Sequence, residues 1–124
     1  MLPAAHRVTD AASFREATRR GRRASSRTMV LHLVAADSAA DETGRAAPAR
    51  IGFVVSKAVG GSVVRNRVQR RLRHLVSARL SSIPVGSVLV IRALPASAAS
   101  SWARLGRDLD SCLTTVAGQR GAPA

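Results

Sequence analysis

The central part of this chain lacks acidic residues. The chain holds seven Asp and Glu residues, yet none lies between positions 43 and 107, whereas 20 Lys and Arg residues give a net charge of +13. Solvated protein surfaces normally mix charges of both signs, so a composition bias explains this separation poorly. The charge distribution predicts an electropositive surface, and nucleic acid is the first partner to consider.

Cysteine, aromatic residues and long apolar runs are also scarce. Cys112 is the only cysteine, which excludes a disulfide framework and a cysteine metal cluster. The only aromatic residues are Phe14, Phe53 and Trp102, which disfavours a protein that reads bases on an aromatic platform. No apolar run approaches the roughly 18 residues of a membrane span, and the first residues lack a signal-peptide hydrophobic region. We therefore expect a soluble, cytoplasmic protein with no membrane partner.

The length of 124 residues suits one domain with one modest core. The pattern predicts an α+β sandwich, with helices against one small sheet, in the order α-β-β-α-β-α. The predicted elements are a helix over 10–20, strands over 28–34 and 51–56, a basic helix from 62 to about 80–82, a strand over 87–93, and a helix from Ser97 or Ser100 to about 117. We expect the first two strands to pair as an antiparallel hairpin. Residues 37–48 should form an exposed loop, and residues 1–8 and 118–124 flexible ends.

The most informative stretch is 56–80, SKAVGGSVVRNRVQRRLRHLVSARL. Gly60-Gly61 predicts a tight turn into a helix, and Ser62 is the predicted N-cap. The glycines fit a plain hinge or a backbone cradle for phosphate equally well. Helical spacing gathers the apolar residues on one side, namely Val64, Val68, Leu72, Leu75 and Val76. The opposite arc holds Asn66, Arg67, Arg70, Arg73 and His74. One helix thus combines an apolar stripe that faces the core with a basic side that faces away from it.

This stretch resembles the signature of the bacterial ribonuclease P protein component. In that family a Ser-Lys pair ends a strand, a glycine-containing turn follows, and Arg-Asn-Arg opens a basic helix. The matching residues here are Ser56-Lys57, Gly60 and Arg65-Asn66-Arg67, and the surrounding elements come in the family's order. The resemblance implies a four-stranded sheet with three helices, the fourth strand lying near residues 22–27. It also implies a left-handed crossover through the basic helix, where general rules predict a right-handed one.

The resemblance implies a function as well. The enzyme removes the 5′ leader from precursor tRNA, and its RNA subunit holds the active site and the catalytic Mg²⁺, so the protein is expected to supply no catalytic side chain or metal ligand and to require no other protein. The helix face is expected to bind the ribonuclease P RNA through Arg65, Asn66, Arg67, Arg70, Arg71 and Arg73. A cleft between the first helix and the sheet is expected to hold the single-stranded leader. Its residues are Phe14, Arg15, Thr18, Arg19, His32, Phe53 and Lys57, with Thr18 and His32 standing where many relatives have aromatic residues.

Other functions stay open on the residues alone. The charge fits a structural RNA-binding protein, such as a ribosomal protein, equally well, and the Arg-Asn-Arg placement after Ser-Lys is what disfavours it. A helix-turn-helix DNA binder is disfavoured because strands flank the basic helix. His32 and His74 would have to meet to act as the acid and base of a protein ribonuclease, and nothing in the sequence brings them together. Trp102 and Cys112 are expected to be packing residues of the last helix.

Overall fold

The computed structural model describes residues 22–34, 49–84 and 86–121. Within these ranges there are four strands and two α-helices. They are β1 (Arg22–Ser25), β2 (Met29–Val34), β3 (Arg50–Val54), α1 (Ser62–Ser77), β4 (Val88–Ala93) and α2 (Trp102–Gly121). Short 3₁₀ helices at Leu80–Ser82 and Pro95–Ala99 follow α1 and β4. The α+β class is confirmed, whereas the predicted helix over 10–20 and the predicted loop over 37–48 lie outside the described residues.

The four strands form one sheet in the order β1-β2-β4-β3. β2 is antiparallel to both β1 and β4, and β3 is parallel to β4. The fourth strand expected near 22–27 is confirmed as β1. The predicted hairpin between the strands over 28–34 and 51–56 is wrong, because β4 lies between β2 and β3 and β2 forms its hairpin with β1.

The composition of β4 explains this order. Leu89 and Ile91 point to one side of the sheet and Val90 to the other, and all three are fully buried. A strand that is apolar on both faces gains most when it has a neighbour on each side and cover on each face. β4 therefore occupies an inner position. The connection from β3 to the parallel β4 runs through α1, and its handedness stays a prediction.

One face of the sheet, the core face, packs against α1 and α2. The alternating residues Met29, Leu31 and Leu33 of β2 lie on this face, and all are buried in the main apolar cluster. The helices contribute the buried residues Val68, Leu72, Leu75 and Val76 from α1 and Leu105, Leu109, Cys112, Leu113 and Val116 from α2. This confirms the apolar stripe predicted for the basic helix. No helix within the described ranges combines the length and hydropathy that a bilayer crossing requires.

The helix ends differ from the predicted ones. Gly61, rather than Ser62, is the N-cap of α1, and α1 ends at Ser77 before a separate 3₁₀ turn. The predicted caps of the last helix are wrong too, because the hydroxyls of Ser97 and Ser100 donate back to carbonyls within the Leu94–Ser100 turn. Ser101 caps α2 instead, since its Oγ accepts from the backbone N–H of Arg104 at 3.0 Å. α2 continues to Gly121, past the predicted end at 117.

Candidate nucleic-acid interface

The turn that leads into α1 depends on Gly60. Its φ of +158° and its closeness to Val64 leave no room for a side chain, because a Cβ there would lie 2.9 Å from Cγ1 of Val64. Gly61 has an ordinary φ of −70°, and nothing lies within 4 Å of the place its Cβ would take. Only the first glycine is therefore required by the turn. α1 has no side-chain cap and no acid in its first turn.

The polar face of α1 is open to solvent along its length. Asn66, Arg67, Arg70 and His74 are exposed, whereas the buried residues all lie on the opposite stripe. Of the three remaining arginines of the predicted interface, Arg71 and Arg73 are half-buried on its flanks, and Arg65 is half-buried in the first turn, nearer the apolar stripe. We call these six predicted residues, Arg65, Asn66, Arg67, Arg70, Arg71 and Arg73, the arginine face. The structure brings all six together on one helix.

No carboxylate neutralises the arginine face within the described ranges. The acids described there are Asp108 and Asp110 of α2, and both are engaged elsewhere. Asp110 accepts two hydrogen bonds from Arg79, from Nε to Oδ1 and from Nη2 to Oδ2, the second at 3.2 Å. Nη1 of Arg79 also donates to the carbonyl of Leu75 at 2.9 Å. Asp108 pairs with Arg104 at 3.2 Å. The ion pairs of this part of the chain thus fasten the helices and leave the guanidinium groups of the arginine face without a counter-charge.

Arg67 is held in place at the start of this face. Its Nη2 donates a 3.2 Å hydrogen bond to the carbonyl of Ala98, in the 3₁₀ helix that follows β4. A guanidinium has five N–H donors, so this single bond orients Arg67 and leaves other donors for phosphate. Arg65 is half-buried, and its Nε meets no acceptor among the described residues.

A second basic region lies on the side of the sheet away from the two helices, which we call the second face. Opposed residues of neighbouring strands lie on the same face, and the register places Arg23, His32 and Val90 in one row. Arg92 lies on this face too, opposite Val30, and is exposed. Burial, followed by the charges of Arg23 and Arg92, lowers the pKa of His32 below its usual value of 6.5. The imidazole thus lies between two guanidinium groups that disfavour its protonated form.

The sequence matches known proteins along most of its length. The family model for ribonuclease P matches residues 2–117. The chain belongs to the ribonuclease P protein family. The ribonuclease P protein component of a Nocardioides species is 55% identical over 116 residues, which cover 94% of this chain and 95% of that protein. That of Streptomyces bikiniensis is 50% identical over 119 residues, covering 95% and 97%. The chain is therefore a subunit of ribonuclease P, a ribonucleoprotein of tRNA processing.

Solved structures of ribonuclease P proteins share the fold. The protein from Staphylococcus aureus superimposes with a TM-score of 0.74 at 21% identity, over 89% of this chain and 94% of that one. The protein from Thermotoga maritima gives a TM-score of 0.69 at 17% identity, over 85% and 92%. The fold is thus kept at low sequence identity.

The residues predicted for the leader cleft do not all lie together in this ribonuclease P protein. His32 is half-buried on the second face, whereas Phe53 lies opposite Ile91 and packs against the apolar cluster of the core face. A single cleft on one side of the sheet cannot contain both side chains, because the residues opposite them on β4, Val90 and Ile91, are neighbours, and neighbouring residues of a strand point to opposite faces. Lys57 is exposed in the turn after β3. Phe14, Arg15, Thr18 and Arg19 lie outside the described residues.

The alternative of a histidine-dependent nuclease finds no support in this arrangement. His74 is exposed on α1, which covers the core face, while His32 lies on the second face. The sheet therefore separates the two imidazoles. Among the described residues there is no group of three or more His, Cys, Asp and Glu side chains able to hold a metal ion.

Sequence reasoning missed three residues that the structure brings forward. Arg23 and Arg92 flank His32, and the signal for Arg92 was a lone charge inside the apolar run of β4. Trp102 was expected in the core, but it is 49% exposed and contacts His74 with the two ring planes 82° apart. Trp102 is the first residue of α2, at the end of the helix rather than in its middle.

Proposed function

We propose that this ribonuclease P subunit binds the catalytic RNA of the enzyme through the arginine face and holds the single-stranded 5′ leader of precursor tRNA. The observation that carries the proposal is the arginine face itself. It lies on one rigid helix, is anchored by the buried stripe of α1, and has no carboxylate partner within the described ranges. Such a surface is a fixed set of phosphate donors, because guanidinium groups bind phosphate oxygens in pairs.

In this function the polypeptide supplies electrostatics and positioning. We assign hydrolysis of the phosphodiester bond, and the Mg²⁺ that assists it, to the RNA subunit. The arginine face neutralises RNA phosphates and releases counterions on assembly. The second face offers the guanidinium groups of Arg23 and Arg92, on either side of His32, to the leader backbone. A cytoplasmic location, and assembly without another protein, belong to the same proposal.

Cleavage of precursor tRNA tests the proposal. A 5′-labelled precursor is incubated at low magnesium with ribonuclease P RNA of a Nocardioides species alone, with this protein alone, and with both. We expect cleavage at the mature 5′ end only when both are present. Cleavage by the protein alone would transfer the chemistry to the polypeptide. If the protein binds the RNA and cleavage does not change, a structural RNA-binding role becomes the better assignment.

The contact with the leader is tested separately by varying the leader length. A precursor with a single-nucleotide leader is compared with one that carries a leader of about ten nucleotides. We expect the protein to improve the affinity for the long leader much more than for the short one, because a short leader cannot reach the second face. Equal improvement for both would remove the leader contact from the proposal and leave RNA assembly in place.

A further inference from the structure

Trp102 is half-exposed at the junction of the two helices. It is 49% exposed at the first turn of α2, and its ring centroid lies 6.4 Å from that of His74 on α1. Arg70 and Arg71 complete the walls of a shallow cavity of about 120 Å³ with these two rings. The cavity is continuous with the arginine face, because Arg70 and Arg71 belong to both.

An indole in this position is not explained by packing. Tryptophan is highly buried on average, and in the described ranges the large apolar side chains that stay exposed are Val63 and Trp102. The edge-to-face contact with His74 uses part of the indole, and about half of its surface is left open. An aromatic surface bordered by two guanidinium groups matches a ligand that combines a flat ring with negative charge.

We propose that Trp102 is a stacking site for one unpaired nucleobase of the RNA that binds the arginine face, with Arg70 and Arg71 contacting the phosphates beside that base. The proposal rests on the proposed function and extends the interface from α1 onto α2. Stacking of a base on an aromatic side chain is sequence-tolerant, because every base has a flat π-face. The RNA bound at Trp102 is single-stranded rather than duplex, because paired bases are already stacked within their own helix and cannot stack on the indole.

Affinity measurements with three variants test this site. Trp102→Ala, Trp102→Phe and Val63→Ala are compared with the parent protein in binding to the Nocardioides ribonuclease P RNA at several salt concentrations. We expect Trp102→Ala to weaken binding roughly tenfold, the effect of losing one stacked base. The dependence on salt should stay unchanged, because the arginines that neutralise phosphates are all retained. Trp102→Phe should recover most of the affinity, and Val63→Ala, which removes the other exposed apolar side chain, should bind within about twofold of the parent.

The emission of Trp102 gives a readout that a purely structural role would not produce. It is the only tryptophan of the chain, so its fluorescence reports this site alone. We expect quenching on addition of a single-stranded oligoadenylate, and little quenching by a duplex of the same length at equal saturation. Equal quenching by both, or quenching by neither, would overturn the proposal.

Failure of this inference is distinguishable from failure of the proposed function. If Trp102→Ala binds the RNA as well as the parent while Arg67→Gln binds more weakly, the stacking site is wrong and the arginine face stands. If Arg67→Gln also binds unchanged, the arginine face itself is wrong. If Trp102→Ala binds weakly and Trp102→Phe does not recover, the indole merely supports the α1–α2 junction, and the stacking site is wrong. Thermal unfolding of each variant identifies that last outcome.

Discussion

Thr28 and Asp108 are joined across the fold by a buried hydrogen bond. The hydroxyl of Thr28 donates to Oδ2 of Asp108 at 2.6 Å, and the two residues are 0% and 8% exposed. Thr28 lies in the turn between β1 and β2, and its carbonyl also accepts from the backbone N–H of Leu94 after β4, at 2.9 Å. One residue thus connects the β1–β2 turn, the segment after β4, and α2. This end of the sheet carries the Pro95–Ala99 helix that orients Arg67.

Removal of the Thr28 hydroxyl should destabilise the protein. Thr28→Val keeps the shape and leaves a buried carboxylate oxygen without its donor, so we expect a loss of about 1–3 kcal/mol in the free energy of unfolding. Thr28→Ser retains a hydroxyl and is the matched control, expected to lose less. Urea unfolding at pH 7 measures both. Equal stability of Thr28→Val and the parent would mean that the hydrogen bond makes no net contribution.

Acid should weaken the fold partly through Asp108. Burial alone would raise the pKa of this carboxyl, but the hydrogen bond from Thr28 and the charge of Arg104 outweigh it and hold the pKa below the usual 3.8. The contribution to stability is therefore fully present above about pH 4 and is lost as the pH falls through the depressed pKa. Asp108→Asn should be less stable at neutral pH and lose less stability than the parent between pH 5 and pH 2. Unfolding midpoints across that range measure the difference, and parallel curves for the two proteins would contradict it.

Charge removal on the arginine face should weaken assembly with the RNA. Arg67→Gln and Arg70→Gln each remove one exposed guanidinium, and we expect the slope of log affinity against log salt to fall by about 0.7–0.9 for each phosphate that is no longer neutralised. Arg107→Gln removes the same charge from an exposed position on α2 and is the control. Filter binding to ribonuclease P RNA at about 50–300 mM salt tests this. An equal effect of all three variants would mean that net charge, rather than the placement of the arginines, governs binding.

The two adjacent glycines before α1 should respond differently to substitution. Gly60→Ala places a Cβ 2.9 Å from Cγ1 of Val64 at a φ of +158°, and such strain costs about 1–3 kcal/mol. Gly61→Ala meets nothing within 4 Å and should change stability by less than about 1 kcal/mol, because reduced freedom of the unfolded chain offsets a weaker N-cap. Thermal unfolding compares the pair. Equal losses would show that Val64 moves aside.

Binding of a leader to the second face should raise the pKa of His32. In the free protein, burial and the charges of Arg23 and Arg92 lower this pKa, and nearby phosphates would favour the protonated imidazole instead. Binding should then take up a proton, so the affinity for single-stranded leader RNA should increase as the pH falls from 7 to 6. NMR titration of the His32 ring, with and without a leader oligonucleotide, measures the shift. Arg92→Gln should raise the pKa in the free protein, and an unchanged His32 pKa with leader RNA bound would place the leader elsewhere.

The sequence predicted those features of the fold that depend on residues close together in the chain. The apolar stripe and the arginine face of α1 follow from helical spacing, which does not depend on the rest of the fold. β4 was recognisable as a strand covered on both faces because its apolar residues do not alternate with polar ones. The family resemblance supplied β1, which is too short and too polar to stand out by its own pattern.

Residue patterns alone did not predict the order of the strands in the sheet. An antiparallel hairpin of β2 with β3 was the economical prediction, yet β4, which comes later in the chain, takes the place between them. The face of the sheet on which Phe53 lies was also not predictable from the sequence. Around Gly52 and Val54, residues on both sides of the strand are apolar or small, so alternation does not reveal which face is buried. The exposure of Trp102 could not be predicted because it depends on where α2 begins. Ser101 caps the helix, one residue past Ser100, the later of the two predicted caps.

The parallel pairing of β3 with β4 has a consequence for the order of events during synthesis. α1 lies between these two strands, and by itself it is a poor helix, because like charges such as Arg67 and Arg71 stand four residues apart and no acid offsets them. Its order comes from burying its stripe in a core that includes Leu89 and Ile91 of β4. A nascent chain that has not yet emerged beyond residue 84 therefore has the arginines but no ordered array of them. If the arginine face binds RNA as proposed, that binding begins only after β4 has joined the sheet.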